Sequence, residues 1–148
     1  MPNIPNTSQP GQSLLSVGNG SNASYWGGGS DGAFQITRSY PVLGPLVAYT
    51  FPGFAQVVPA GSTVGLVAVE FVLSSGTGTI NITQQPFGGS PSTIAGLTSL
   101  SVTTTDSGYV LPTASPVSVA DRDRFSFVLS SPSGTGDIVI DYVFAITP

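Results

Sequence analysis

The segment Phe71-Val72-Leu73-Ser74-Ser75 recurs as Phe127-Val128-Leu129-Ser130-Ser131, and the residues after each copy recur with it. The first copy continues into Gly76-Thr77-Gly78-Thr79-Ile80-Asn81-Ile82. The second passes through Pro132-Ser133 into Gly134-Thr135-Gly136-Asp137-Ile138-Val139-Ile140. Each copy reads as a strand, a glycine turn and a second strand, with apolar residues at alternate positions. A pleated strand sends successive side chains to opposite faces, so Phe71, Leu73, Ile80 and Ile82 share one face of the first copy. Phe125, Phe127, Leu129, Ile138, Ile140 and Tyr142 share one face of the second. Taken as hairpins, the copies pair Leu73 with Ile80 and Phe71 with Ile82. They likewise pair Leu129 with Ile138, Phe127 with Ile140 and Phe125 with Tyr142. Such a hairpin cannot bury its apolar face alone, and two of them can pack face to face as opposed walls of a sandwich.

The chain from residue 33 onward has the same texture. Runs rich in Val, Ile, Phe, Tyr and Thr fall at 33–39, 45–51, 64–73, 78–84, 98–104, 116–119, 124–130 and 137–146, with a weaker one near 55–58. Gly, Pro and Ser separate them, and no helical period is visible. The expected fold is all-β: a jelly-roll-like antiparallel β-sandwich of about eight strands spanning 33–148. Residues 1–32 differ. They hold seven Gly and three Pro, show no period, and read as an extended N-terminal arm. The arm carries Leu14, Leu15, Val17, Tyr25 and Trp26, which are expected to anchor on another protein surface, where Trp and Tyr are favoured. Stacking of Tyr25 and Trp26 on sugar rings is the other reading.

Charge narrows the function. Only 7% of the residues are charged, against roughly 25% in ordinary soluble domains. The cations are Arg38, Arg122 and Arg124, and the net charge is −4. That balance speaks against nucleic acid, whose phosphates require clustered Lys and Arg. No apolar run is long enough for a membrane helix, and the first residues lack the basic and apolar blocks of a secretory leader. The absence of His and Cys removes Ser-His-Asp and Cys-His catalysis and the usual zinc sites. The absence of Lys removes Schiff-base chemistry. No cofactor is expected. In Asp121-Arg122-Asp123-Arg124 the alternating signs suggest mutual ion pairing, with a calcium site on Asp121 and Asp123 as the alternative. Asp141, odd in an apolar strand, is expected to pair with Arg124 across the second hairpin. A surface so poor in charge suggests cover by copies of the same chain, a trimer first, or by a host assembly.

These pieces resemble the small virion proteins of tailed bacteriophages, above all capsid decoration (cement) proteins. The resemblance rests on the arm "MPNIPNTSQPGQSLLSVGNGSNASYWGGGSDG", the compact β body, and strand-and-turn phrases such as "VPAGSTVGLVAVEFVL" (58–73) and "VSVADRDRFSFVLSS" (117–131). It implies a non-enzymatic protein, made in the host cytoplasm, that sits on the outer capsid surface. There it would bind the major capsid protein or another virion protein and stabilise the shell by multivalent contact. A receptor- or glycan-binding module of a phage tail or fibre is the alternative.

Overall fold

A computed structural model describes residues 32–134 and 136–148. These form nine strands and no helix: β1 (Phe34–Val42), β2 (Tyr49–Gln56), β3 (Thr63–Leu73), β4 (Thr77–Gln85), β5 (Ser92–Thr93), β6 (Leu100–Val102), β7 (Val117–Val119), β8 (Asp123–Ser133) and β9 (Ile138–Thr147). They make two antiparallel sheets. One has the order β1-β9-β3-β7. The other has the order β2-β8-β4-β5, with β6 also on β4. The chain crosses from one sheet to the other at nearly every connection, a strand order consistent with a jelly roll. The arm, with Leu14, Leu15, Val17, Tyr25 and Trp26, lies outside the described residues.

The repeat is confirmed as a unit but corrected in its pairing. Neither copy is a hairpin. β3 and β4 lie in different sheets, and so do β8 and β9. Each copy is an arch that gives one strand to each wall of the sandwich, and the two copies pair crosswise. Leu73 faces Ile138 and Phe71 faces Ile140. Leu129 faces Ile80 and Phe127 faces Ile82. These two sets are equivalent under exchange of the copies, so the repeat describes a local pseudo-twofold arrangement.

The glycines explain why the arches can interlock. Gly76 and Gly134 have φ of 95° and 91°, in the left-handed region that glycine enters without strain. A Cβ on Gly76 would strike the carbonyl of Ser133, and one on Gly134 would lie 2.8 Å from the Cα of Gly76. The two turns therefore pass backbone against backbone. Bonds from the Ser74 amide to the Asp137 carbonyl (2.8 Å) and from the Asp137 amide to Ser74 Oγ (2.8 Å) tie the crossing.

The face assignment survives the change of partner. Phe71, Leu73, Ile80, Ile82, Phe125, Phe127, Leu129, Ile138, Ile140 and Tyr142 are all buried in one core, with Leu66, Val69, Leu97 and Phe144 beside them. Phe54 lies edge-on to Tyr142 at 5.0 Å and Phe127 stacks on Phe51 at 4.8 Å. Elsewhere the expected strands shift. The run at 45–51 begins as strand only at Tyr49, because Leu46 is buried in the connection before it. The weak run near 55–58 joins β2 through an irregularity between Phe51 and Phe54. Pro52 cannot donate to a ladder, and Gly53 (φ 65°) accepts a position where a Cβ would meet the Phe125 carbonyl. Of 98–104 only Leu100–Val102 is strand, and the two-residue β5 carries no readable pattern.

Candidate functional site

With the large apolar residues turned inward, the outer face of the β2-β8-β4 sheet is largely hydroxyl and amide, whereas that of the β1-β9-β3-β7 sheet also carries Val72, Val139, Val143 and Ala145. The β2-β8-β4 sheet carries Thr50, Thr79 and Asn81 on its outer face, together with Thr83 and Ser126, which are buried with Thr83 Oγ1 2.7 Å from Ser126 Oγ. At one end of this face the surface becomes concave. Ala55, Arg124 and Gln85 stand side by side in register on β2, β8 and β4 and form its floor. Pro86, Phe87, Gly88 and Arg122 complete the lining of a cleft of about 310 Å³.

Two of the three cations of the chain therefore converge there. Arg122 occupies the turn between β7 and β8 at φ 69°, a conformation that L-residues adopt only under constraint. Its amide donates to the Gln56 carbonyl at 2.7 Å, and Asp121 Oδ1 accepts from the Val58 amide at 3.0 Å. These bonds hold the turn so that the Arg122 guanidinium lies over the Phe87 ring, 4.7 Å from its centroid. The ring is itself 69% exposed. Arg124 makes one long bond, 3.5 Å, to the Pro52 carbonyl. An exposed guanidinium pair, an amide and an aromatic edge can receive a carboxylate or another planar anion.

The charged residues singled out in the sequence separate. Asp121 and Arg122 do pair, at 3.6 Å between largely exposed side chains. Asp123 does not join them: it is buried, and its Oδ2 accepts from the Gln84 Nε2 (2.7 Å) and from the Ala120 amide (2.9 Å). Asp121 Oδ1 and Asp123 Oδ2 are thus held by separate bonds. The expected pair between Arg124 and Asp141 does not form. Arg124 is on β8 and Asp141 on β9, so the two lie on the outsides of opposite sheets, which pack roughly 10 Å apart. Asp141 instead accepts a bond from Ser39 Oγ at 2.6 Å, and its register partner on β3 is Glu70.

The sequence offers no role for Arg38. In the fold it donates to Gln56 Oε1 at 3.1 Å and lies 4.3 Å from the centroid of the Phe54 ring, bridging β1 to β2 along the open flank of the sandwich. Tyr40 does the same, accepting from the Gly53 amide at 3.2 Å. Phe87 is a second residue that sequence reasoning misses. Its neighbours Pro86, Gly88 and Gly89 mark a turn, and a large ring in a turn is the available signal.

No protein-family model matches the chain, and no curated protein matches it. Among solved structures it is similar to a chain of the cyanophage Pam1 capsid asymmetric unit. Identity is 12% and the TM-score 0.36, over 90% of this chain and 98% of that one. A likeness of that size does not carry an assignment, and the functional reading rests on the residues themselves.

Proposed function

We propose that the chain is a non-enzymatic structural protein of a virion. It binds a capsid shell from the outside, as a decoration protein does, and stabilises it through many protein–protein contacts. One observation carries the reading. Phe34, Leu43, Val47, Tyr49, Val57, Phe87, Tyr109 and Leu111 are each between 51% and 78% exposed, in a chain with only 7% charged residues. Six of the eight lie in connections, and Phe34 and Tyr49 are the first residues of their strands. Apolar side chains in connections and at strand starts, beside a sheet face of Thr, Ser, Asn and Gln, suit a molecule whose surface is covered within an assembly. The missing His, Cys and Lys favour a binding role over a catalytic one.

Copy number tests this. The tagged protein is located by electron microscopy on purified particles and quantified against the shell protein. Copies distributed over the whole shell at near-equal stoichiometry are expected. A few copies confined to a tail or fibre would replace this reading with that of a receptor- or glycan-binding module.

A further inference from the structure

We propose that the Arg122–Arg124 cleft receives Glu70 and Asp141 of a second copy of this chain, in a head-to-tail contact between opposite faces of the sandwich. Glu70 and Asp141 are directly opposed on β3 and β9, where their alternation puts both on the outer face. Like charges in that relation repel and weaken the pair of strands. Among the described residues no cation pairs with either, and the one ion pair is Asp121–Arg122. Across the molecule, Arg122 and Arg124 stand in the cleft with Gln85 between Arg124 and the Phe87 turn. A guanidinium fork fits a carboxylate edge to edge. Glu70 and Asp141 thus have no cation beside them among the described residues, while in the cleft Arg122 shares its charge with the exposed Asp121 and Arg124 makes one long bond to the Pro52 carbonyl, so the two groupings differ in sign and suit each other.

The surroundings agree. Val72 and Val139 lie beside the acidic pair, half-buried on the same sheet face, while Phe87 and Val57 stand exposed near the cleft. Apolar contact can therefore surround the charged centre on both sides. Because the two patches lie on opposite sheets, the contact cannot be isologous. Each copy has one patch left to offer, and the assembly closes into a ring, such as a trimer, when the rotation between copies allows it. None of this depends on the assembly being a virion.

The test is sedimentation of the full chain with paired charge reversals. Arg122→Glu with Arg124→Glu should weaken self-association roughly a hundredfold, and so should Glu70→Arg with Asp141→Arg. Mixing the two variants should restore association, because each retains one native patch and the reversed patches also match. Raising the salt should weaken association of the unaltered chain. Arg122→Gly serves as a gentler variant, since φ 69° suits glycine, and it should weaken association while keeping the fold. An unaltered chain that stays monomeric at high micromolar concentration would overturn the proposal. So would an oligomer insensitive to both reversals, or a mixture that fails to reassociate while each variant melts as a folded protein. If the arginine variants self-associate normally but lose binding to a shell protein or an acidic glycan, the occupant of the cleft is a different molecule and the proposal is wrong.

Discussion

At the scale of single residues, three side chains make separable statements. Phe127 is fully buried, stacked on Phe51 and met edge-on by Tyr40 at 5.9 Å. Phe127→Ala should cost about 3–5 kcal/mol in chemical denaturation, because its neighbours belong to both sheets and cannot close around the void. Tyr142 is buried with a hydroxyl that has no hydrogen-bond partner among the described residues. Burial, with Tyr40 adding to it, pushes its phenol well above the ordinary value of 10.0. The unfolded chain therefore releases this proton first, so the contribution is complete below pH 10 and is lost progressively as pH rises above it. Tyr142→Phe should flatten the alkaline decline and raise stability at neutral pH by about 1–3 kcal/mol, since it removes a buried polar atom that no described residue satisfies. Arg122→Gly should change stability by less than about 1 kcal/mol. Relief of its positive φ offsets the loss of an exposed ion pair and a ring contact.

At the scale of the elements, the interlocked arches are the organising device. The turns at Gly76 and Gly134 cross so closely that neither tolerates a Cβ, whereas Gly61, with φ of 83°, has open space around it. Gly76→Ala should then destabilise by more than about 3 kcal/mol, combining backbone strain with a collision. Gly61→Ala should show the strain alone, about 1–2 kcal/mol. Equal costs at the two positions, read from urea midpoints, would mean that the turns do not meet as described. The long strands are readable because their apolar residues alternate without interruption. The start of β2 is displaced from its expected place because Leu46 and Val47 continue its apolar texture before the ladder begins, and because Pro52-Gly53 breaks its alternation.

At the scale of the whole molecule, the sandwich has few charges to keep it soluble, and its exposed large apolar groups lie in connections or at the first residue of a strand. That arrangement favours assembly, and the arm is expected to add a second mode of attachment. Deleting residues 1–30 should leave the melting temperature of the remaining chain within about 3 °C, while reducing its retention on particles washed with salt or heated. Unchanged retention would remove the arm from the contact. A large drop in melting temperature would make it part of the fold. The cleft is not legible as a site in the sequence, because Ala55, Gln85 and Phe87 are far from Arg122 and Arg124 along the chain and meet only through β2-β8-β4 pairing.

Alternation by itself determined which side of each strand faces the core, since the pleat assigns alternate side chains to opposite faces whatever the neighbour. Phe71, Phe127, Ile138 and Tyr142 were core residues before any partner was known. Only the tertiary structure decided who those partners are. A hairpin and an arch leave the same apolar residues on the same faces, and both satisfy a glycine turn, so Leu73 opposite Ile80 and Leu73 opposite Ile138 read alike in one dimension. The choice falls to the packing of whole sheets: crosswise pairing places one strand of each copy in each wall and buries both apolar faces against each other. The same choice carried Asp141 away from Arg124 and set it beside Glu70, because charge pairing on a sheet depends on the register, and the register is a property of the assembled fold.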